Sequence, residues 1–572
     1  MMKHTLTLVV LLVVSSAVFL AQGGLPIPQG RGAGAGPLRG PVRDAPERPA
    51  GTAVLRGRVV TADTGAAIRR AQVRAVSPTT SDTRLVTSDA QGNFEFRDLP
   101  SGRWELTASK AGFVTMRFGQ RRPFEAGRPI EIADGQTIER VSLMLPRGAA
   151  ITGRVFDEFG DPVAGARVQA MRYQVVQGAR RLSPVGVMGQ SDDTGAFRLY
   201  GLMPGDYYVS ALLRAFPFDN ADDGNGYAPT YYPGTGSVAE AQVIPLVVSQ
   251  EASISFALLP VRTARISGRV VNSMGAPFSG MMMLVGTDDL PGPQAFGAAN
   301  RIRPDGTFTL TNVAPGSYTL TASSGGPGGR FGGDAEFEMG SLSVAVAGED
   351  LTGITLVTSR GATLTGVVAA AQGSSARLEM SGLQVTAQAV PFERGFGAGV
   401  RPGRVEADGT FTLTNLFGAR AIRVNAVPQG WMLDAITIAG IDVTDTPVEF
   451  GPNEAITDAQ IVLTDRVTQV SGTVAGADGK PSRDFSVVVF PDDETKWAAP
   501  SRYVRSARPD QDGLFKITAL PTGNNYLAVA VDYLEQGEGS DPEFLDVIKD
   551  RATRFRLNPG ESATVNLKLV EQ

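Results

Sequence analysis

Apolar and polar residues alternate in short segments along most of this chain. Phe308-Thr-Leu310, Phe411-Thr-Leu413 and Val565-Asn-Leu567-Lys-Leu569 each have an apolar residue at every second position. This period of two places the apolar side chains on one face of a β-strand and the polar ones on the other. Asp-Gly and Pro-Gly pairs separate the segments and favour turns, because Asp and Gly tolerate positive φ. The pattern therefore predicts many short strands, and no segment indicates a long helix.

One strand opening with a central glycine recurs five times. The five residues are Gly57, Gly153, Gly268, Gly366 and Gly472. Neighbouring copies are separated by 96 to 115 residues. Each copy is followed by an Asp-containing turn that ends in Gly-x-Phe, and all but the fourth by a second turn built on Pro and Gly. Such repetition is typical of tandem domains, and strands this short with turns this frequent are typical of β-sandwiches.

We therefore predict an all-β chain, a tandem array of five immunoglobulin-like (prealbumin-like) antiparallel β-sandwich domains. Their predicted ranges, called modules 1 to 5 below, are 53–147, 148–261, 262–359, 360–466 and 467–572. Because the connections between them are short, we expect a semi-rigid string of modules, on the order of 150 Å long if they lie end to end.

The first residues of the chain predict export. Lys3 precedes an uncharged, mostly apolar run to Leu20, and Ala21-Gln22-Gly23 fits a signal-peptidase cleavage site. Residues 1–23 are therefore a predicted signal peptide, with an uncleaved N-terminal anchor as the alternative. Residues 24–52 are rich in Gly, Pro and Arg and predict a disordered linker. We expect a periplasmic, cell-surface or secreted protein without a membrane span in the mature chain.

The amino-acid composition limits which catalytic and metal-binding groups the chain can contain. The 572 residues include no Cys and one His, and His4 lies inside the predicted signal peptide. A mature chain without imidazole or thiol has no Ser-His-Asp or Cys-His catalytic group and no His-ligated zinc. The 53 Lys+Arg against 58 Asp+Glu give a net charge of -5, which argues against a broad basic face for nucleic acid. We expect no enzyme activity and no cofactor, and a carboxylate-based hydrolase is the least favoured alternative.

Module 2 contains a tyrosine-rich insertion between residues 216 and 234. Its Tyr227, Tyr231 and Tyr232 are candidate ligand-binding residues, because aromatic faces stack on sugar rings and the phenol offers a hydrogen bond. Packing of the insertion onto its own sandwich is the alternative.

Three other aromatic residues, Trp104, Tyr207 and Tyr318, share one position of the repeat, two residues after a turn glycine. This shared register predicts core or corner residues. Trp431 and Trp497 fall outside that register and are candidate exposed stacking residues.

Oxygen-bearing side chains in the same insertion suggest a metal. Asp219, Asp222, Asp223 and Asn225 could supply ligands to Ca²⁺. The spacing is not that of an EF-hand, and the alternative is a solvated polar loop tip.

The repeated motifs together resemble the carboxypeptidase regulatory-like domain family, a transthyretin-like sandwich with a carbohydrate-binding-like fold. In module 2 they are Ile151-Thr-Gly-Arg-Val155, Gly160-Asp-Pro-Val-Ala-Gly-Ala-Arg-Val168 and Leu202-Met-Pro-Gly-Asp-Tyr207. Modules 1 and 3 match most of this pattern, and modules 4 and 5 depart from it. The resemblance implies an accessory, binding or structural part of an exported protein, and it does not imply peptidase activity.

These observations favour a non-catalytic exported binding protein, with carbohydrate at the cell surface or in the periplasm as the expected ligand. A structural spacer, a scaffold or an accessory module that binds another envelope protein is the alternative.

Overall fold

Two sheets enclose one apolar core in module 1 of the computed structural model, which describes residues 51–77, 82–176, 178–213, 224–286, 300–324, 337–390 and 401–571. The strands of module 1 are β1 (Ala53–Thr61), β2 (Gln72–Val76), β3 (Thr83–Thr87), β4 (Asn93–Leu99), β5 (Gly102–Ser109), β6 (Met116–Arg117), β7 (Ile130–Ile132) and β8 (Thr137–Leu145). One sheet has the order β4-β1-β8, and the other has the order β3-β2-β5-β6 with β7 also on β5. Along β5, alternate residues are buried in the core, as the period of two predicts.

Modules 2 and 3 repeat this plan with additions. The strands of module 2 are β9 (Ala149–Phe156), β10 (Arg167–Val176), β11 (Ala179–Gln190), β12 (Ala196–Leu202), β13 (Gly205–Leu212), β14 (Asn225–Tyr227), β15 (Thr230–Tyr231), β16 (Ile244–Leu246), β17 (Glu251–Ala257) and β18 (Pro260–Arg262). Those of module 3 are β19 (Ala264–Val271), β20 (Met281–Gly286), β21 (Asn300–Arg301), β22 (Thr307–Val313), β23 (Gly316–Ser323), β24 (Glu338–Val346), β25 (Leu351–Val357) and, at its boundary, β26 (Ser359–Arg360). The sheet orders are β12-β9-β17, β11-β10-β13-β15 and β14-β18 in module 2, and β22-β19-β25 and β21-β20-β23-β24-β26 in module 3.

Modules 4 and 5 keep the central strand but vary its neighbours. The strands of module 4 are β27 (Ala362–Ala370), β28 (Gln384–Ala389), β29 (Gly403–Arg404), β30 (Thr410–Leu416), β31 (Gly418–Asn425), β32 (Met432–Ile438), β33 (Ile441–Asp442), β34 (Val448–Phe450) and β35 (Ala455–Thr464). Those of module 5 are β36 (Gln469–Gly472), β37 (Val474–Ala475), β38 (Pro481–Ser482), β39 (Ser486–Pro491), β40 (Arg505–Ala507), β41 (Phe515–Thr518), β42 (Asn525–Val531), β43 (Thr553–Arg556), β44 (Ser562–Thr564) and β45 (Leu567–Val570). The α-helix of the described residues is α1 (Pro542–Ile548), so the all-β prediction is confirmed.

The sheets of modules 4 and 5 have the orders β30-β27-β35-β32-β33, β29-β28-β31-β34, β41-β36-β44 and β38-β37-β45-β42-β39-β40. No helix in the described part of the chain is long and apolar enough to cross a bilayer. The predicted signal peptide and almost all of the predicted linker lie outside the described residues. The division into five modules stays a prediction, and the module names denote residue ranges.

One strand pairing departs from the antiparallel prediction. The first and last strands of the principal sheet run parallel in the pairs β1–β8, β9–β17, β19–β25, β27–β35 and β36–β44. Neighbouring strands that run in the same direction begin at one end of the sheet and finish at the other. The chain therefore enters each of these sheets at one end and leaves at the opposite end, which suits a tandem arrangement.

The recurring glycine is explained by this pairing. Each of the five lies opposite the phenylalanine of the Asp-turn motif, in the pairs Gly57–Phe94, Gly153–Phe197, Gly268–Phe308, Gly366–Phe411 and Gly472–Phe515. A Cβ atom at Gly153 would strike the backbone carbonyl oxygen of Ile254 on the parallel strand, and the other four glycines face the same obstacle. At Gly57, Gly153 and Gly472, the ring of the paired and buried phenylalanine also lies within 3.1 Å of that Cβ position. Two distant motifs of the sequence thus form one structural unit.

The modules do not form the expected end-to-end string. The described residues belong to one compact unit, in which module 5 contacts modules 1, 2 and 4. Tyr533 of module 5 donates a hydrogen bond to the backbone oxygen of Pro123 in module 1 at 2.8 Å. Arg502 pairs with Asp445 of module 4 at 2.8 Å. The expectation of an extended string is therefore wrong, because polar segments outside the repeated motifs join the two ends of the array.

Candidate functional site

The structure buries one of the three candidate tyrosines of module 2. Tyr231 is 1 % exposed and packs against Met171 and Leu182 in a small apolar cluster. Its hydroxyl has no hydrogen-bond partner among the described residues, and burial raises the pKa of Tyr231 to about 12. A ring enclosed in this way has no free face for a sugar, so Tyr231 follows the packing alternative.

The other two tyrosines remain half-buried. The Tyr227 hydroxyl donates a hydrogen bond to Oε2 of Glu158 at 2.5 Å, and burial together with this contact raises the pKa of Tyr227 to about 12. The ring of Tyr232 packs edge-on against Phe256, with 6.0 Å between the ring centroids. Both rings keep part of their surface exposed, and ligand binding at Tyr227 and Tyr232 stays a prediction.

The two tryptophans outside the repeat register are buried rather than exposed. Trp431 is 8 % exposed in the core of module 4, and Trp497 is 4 % exposed in module 5. The indole Nε1 of Trp497 donates to the backbone oxygen of Pro491 at 2.8 Å, and its ring packs edge-on against Phe490. The expectation of exposed stacking faces fails at both positions. Their departure from the register reflects local additions to each core.

The predicted core aromatics are confirmed. Trp104, Tyr207 and Tyr318 are 0 %, 1 % and 6 % exposed. Each donates a side-chain hydrogen bond to the backbone carbonyl four residues earlier, at 3.1, 2.7 and 2.8 Å respectively. Tyr526 of module 5 makes a similar bond to Pro521 at 2.7 Å, although its different spacing hid it from the sequence pattern. These residues tie a turn to the core and are not available to a ligand.

Three of the four candidate calcium ligands are not among the described residues. Asp219, Asp222 and Asp223 lie outside the described residues. Asn225 begins β14, which pairs with β18. Within the described ranges, no group of three or more His, Cys, Asp or Glu side chains could hold a metal ion.

Module 1 has an open groove on its β4-β1-β8 side, with a volume of about 740 Å³. Charged residues line it, among them Arg56, Arg140, Glu95 and Glu139. The Arg56 guanidinium lies between the two glutamates, at 2.9 Å from Glu95 and 3.4 Å from Glu139. Arg140 has a φ of 63° and lies where the pairing of β1 with β8 shifts its register. The groove offers polar and charged groups but no exposed aromatic face.

The most extensive polar assembly joins module 1 to module 5. We call it the 1–5 junction and define it as the contacts between residues 117–131 and residues 484–536. Arg121 pairs with Asp484 at 3.1 Å, and Arg122 pairs with Asp532 at 2.9 Å. These pairs are partly exposed, so each contributes little by itself.

A buried ion pair lies at the centre of the 1–5 junction. Arg508 of module 5 contacts the carboxylate of Glu125 in module 1, and their side chains are 4 % and 1 % exposed. The same guanidinium pairs with Asp484 at 2.9 Å. Glu125 also accepts hydrogen bonds from the backbone amides of Arg121 and Arg122 at 3.0 and 3.3 Å. Because a lone buried charge is costly, Glu125 depends on Arg508 for its counter-charge, whereas Arg508 also has Asp484 as a partner.

Backbone groups extend the 1–5 junction. Arg128 donates to the backbone oxygens of Pro509 and Asp510 at 3.3 and 2.7 Å. The side-chain amide of Gln511 both accepts from the backbone amide of Glu131 and donates to its carbonyl, each at 3.2 Å. Contacts to backbone atoms fix the relative position of the two modules more strictly than ion pairs between flexible side chains.

Module 2 also contributes residues to the contact between modules 1 and 5. Arg172 pairs with Glu535 of module 5 at 2.5 Å, and its guanidinium lies 3.6 Å from the ring centroid of Phe124 in module 1. Gly537 has a φ of 95°, and a Cβ atom there would strike the backbone oxygen of Val175. One arginine therefore contacts both modules that meet at the junction.

The two modules carry opposite net charge. Module 1 has 15 Lys+Arg and 10 Asp+Glu, whereas module 5 has 12 Lys+Arg and 16 Asp+Glu. Complementary charge favours the docking of two surfaces and helps to fix their orientation. No motif signalled the junction in the sequence, but the run of arginines between Arg117 and Arg128 was a compositional sign of it.

Comparison with known proteins supports the family resemblance for module 1. Residues 54–145 match the model of the carboxypeptidase regulatory-like domain. No curated protein matches the chain.

Solved structures similar to this chain include two pilins and a protein of Bacillus anthracis. A streptococcal ancillary pilin is 12% identical, with 53% of this chain and 98% of that chain covered and a TM-score of 0.20. A minor pilin of Streptococcus agalactiae is 12% identical, with 37% and 97% covered and a TM-score of 0.22. The TIE protein of Bacillus anthracis is 11% identical, with 73% and 72% covered and a TM-score of 0.16. TM-scores this low support no inference about function.

Proposed function

We propose that this chain is a non-catalytic, exported scaffold protein that holds a partner protein in the cell envelope. The observation that carries the proposal is the 1–5 junction. Docking of the last module onto the first two makes the array a frame with fixed distances between its surfaces. A set of independent ligand-binding modules would not need such a contact.

The burial of large aromatic side chains also supports a scaffold role. Trp104, Tyr207, Tyr231, Trp431 and Trp497 are all buried in cores of the described residues. Large aromatic side chains in these positions stabilise the modules, and their faces are not presented to a sugar. The frame is therefore built for stability and shape.

A buried carboxylate of module 3 also has a structural role. Glu338 of module 3 is 8 % exposed and accepts hydrogen bonds from the hydroxyls of Ser273 and Thr358, at 3.0 and 2.6 Å. A carboxylate that is satisfied by two hydroxyl donors is held in place rather than poised to transfer a proton. Together with the predicted loss of the single histidine, this arrangement supports a protein without catalytic activity.

Carbohydrate binding is the second candidate function. It is favoured by the groove of module 1, whose charged side chains can bind hydroxyl and carboxylate groups, and by the partly exposed rings of Tyr227 and Tyr232. A ligand with both polar groups and apolar C–H faces would use the tyrosines, and an acidic sugar would use Arg56 and Arg140 of the groove.

One paired experiment separates the two functions. Immobilised wild-type chain is incubated with envelope extract, retained proteins are identified by mass spectrometry, and the purified candidate is then tested for direct binding. A scaffold role predicts that binding of the purified protein is lost in an Arg121→Asp/Arg122→Asp variant and kept in a Tyr227→Ala/Tyr232→Ala variant. A glycan array with the same three proteins tests the second candidate. Glycan binding that the tyrosine variant loses, without any direct protein partner, would refute the scaffold proposal.

A further inference from the structure

We propose that the 1–5 junction also forms between two copies of this chain, so that module 5 of one molecule docks on modules 1 and 2 of another. The proposal rests on the observed contacts and is independent of the scaffold function. Reciprocal exchange of identical elements between copies can reproduce the contacts of the 1–5 junction without a new type of contact.

Both surfaces of the 1–5 junction are compatible with water when they separate. The side chains of Arg121 and Arg122 are 65% and 50% exposed even in the docked state, and those of Asp484 and Asp532 are 33% and 22% exposed. Charged side chains such as these are well solvated on an undocked module. Polar contacts between domains of one chain resemble the transient interfaces between separate proteins, so the junction can open without unfolding either module.

Charge directs the same surfaces toward each other in a second copy. Module 1 has an excess of five positive charges and module 5 an excess of four negative charges. This attraction does not depend on whether the two modules belong to one chain, because the field of each module acts on any neighbour. It favours docking of an open molecule on the end of another.

Modules 1 and 2 present their half of the docking site as one surface. Phe124 of module 1 and Arg172 of module 2 are in contact, and Glu535 of module 5 reaches both sides through its bond to Arg172 and its backbone pairing with Glu125. The acceptor surface is complete within modules 1 and 2, whichever copy supplies module 5. Dilute protein favours the internal contact, since the linked modules have a high effective concentration, and concentrated protein favours exchange.

A cysteine trap tests this inference directly, because the chain has no native cysteine. One preparation carries Glu131→Cys and another carries Gln511→Cys, at two positions that touch across the 1–5 junction. The two are mixed, incubated at high concentration and treated with a short bismaleimide. The expected result is a cross-linked dimer, at several-fold higher yield than from a control mixture of Glu139→Cys with Gln511→Cys. Equal yields from both mixtures would overturn the proposal.

Sedimentation of the wild-type chain provides the second readout and needs no introduced residue. We expect a dimer whose fraction grows with concentration and falls several-fold in a Glu125→Gln variant. A wild-type chain that remains monomeric up to its solubility limit contradicts the inference. Melting curves of Glu125→Gln serve as the control: unchanged unfolding of its modules assigns a loss of the dimer to the 1–5 junction.

Discussion

Modules 1 and 5 share an interior plan and differ in their surfaces. Gly57 with Phe94 in module 1 corresponds to Gly472 with Phe515 in module 5, and each pair connects the central strand to its antiparallel neighbour. Their surfaces instead carry opposite net charge and meet at the 1–5 junction. The comparison shows that the repeated motifs determine how each module folds, while residues outside the motifs determine how the modules assemble.

A second difference lies in the additions to module 5. It has an extra apolar cluster in which Trp497, Leu534 and Leu545 pack, and the last of these belongs to α1. The segment that supports this cluster also carries Glu535 and Gln536, which contact modules 2 and 1. Module 1 contributes the segment 117–131 in return. The non-repeated parts of both modules thus build the contact between them.

The largest expected effect is at the buried ion pair. Glu125→Gln removes the buried counter-charge of Arg508 and leaves the partly exposed Asp484 as its partner. Loss of one partner of a buried pair costs at most about 3–5 kcal/mol. We expect the 1–5 junction to open while both modules stay folded. Small-angle scattering should show a larger radius of gyration for Glu125→Gln than for the wild type. The control Glu139→Gln, which changes an exposed residue of module 1, should have the radius of the wild type. An unchanged radius in Glu125→Gln would mean that the pair does not hold the junction.

The shared interior can be tested in both modules at once. Gly57→Ala and Gly472→Ala each force a Cβ atom against the backbone oxygen of the parallel strand, and we expect each to destabilise its own module by about 3 kcal/mol. Hydrogen exchange resolved by peptide should show faster exchange in the substituted module. Gly65→Ala serves as a control for the loss of glycine flexibility, because its Cβ meets nothing within 4 Å although its φ is +67°. Equal effects of Gly65→Ala and Gly57→Ala would refute the steric explanation.

Alkaline pH should distinguish the two modules. Module 1 has no tyrosine and uses Trp104 at its corner, whereas module 5 uses Tyr526. Burial raises the pKa of Tyr526 above its ordinary value near 10. The folded state therefore keeps a proton that the unfolded chain loses, and stability falls by about 1.4 kcal/mol for each pH unit above 10.

Chemical denaturation between pH 9 and 11 (a range chosen to cross the ordinary tyrosine pKa of about 10) measures this difference. Single-tryptophan variants that keep either Trp104 or Trp497 report on modules 1 and 5 separately. We expect module 5 to lose stability and module 1 to change little, and Tyr526→Phe to reduce the pH dependence of module 5. Parallel loss in both modules would show that tyrosine ionisation is not the cause.

The smallest effect is expected at the exposed pair of the junction. Arg122→Ala removes the bond to Asp532, and partly exposed pairs contribute about 0–1 kcal/mol. Added salt screens exposed ion pairs, so it should slightly weaken docking in the wild type. It should weaken docking less in Arg122→Ala, because that variant has already lost one exposed pair. The yield of the intramolecular cross-link described below, measured at low and high salt, tests this expectation. A large loss of cross-link yield in Arg122→Ala would mean that the exposed pair, and not Glu125, contributes most of the free energy of docking.

Much of the fold could be predicted from the sequence. The period of two in Phe308-Thr-Leu310 is strong, and Asp-turns leave clear local signals, as when Asp305 accepts hydrogen bonds from the amide and hydroxyl of Thr307 at 3.0 and 2.7 Å. The core role of Trp104 and Tyr207 followed from their shared register. The parallel pairing of first and last strands could not be predicted, because a strand's own residues do not show the direction of its neighbour.

The candidate sites were harder to predict for a physical reason. Tyr231, Trp431 and Trp497 are amphipathic residues that serve equally in a core or on a surface, and only the neighbours supplied by distant strands decide between these roles. The 1–5 junction joins residues such as Arg117 and Gln536, which are 419 positions apart. No local pattern reports a contact at that distance, and its compositional signs are the arginines between Arg117 and Arg128 and the complementary charge of the two modules.

The docking of module 5 onto module 1 within a single molecule is tested most directly by an intramolecular cross-link. A chain that carries both Glu131→Cys and Gln511→Cys is treated with a short bismaleimide at high dilution, where contacts between copies are negligible. The structure predicts rapid, nearly complete formation of a linked monomer, and far slower linking of a Glu139→Cys/Gln511→Cys control. Equal and slow linking in both proteins would show that the modules extend as a string and would contradict the closed arrangement.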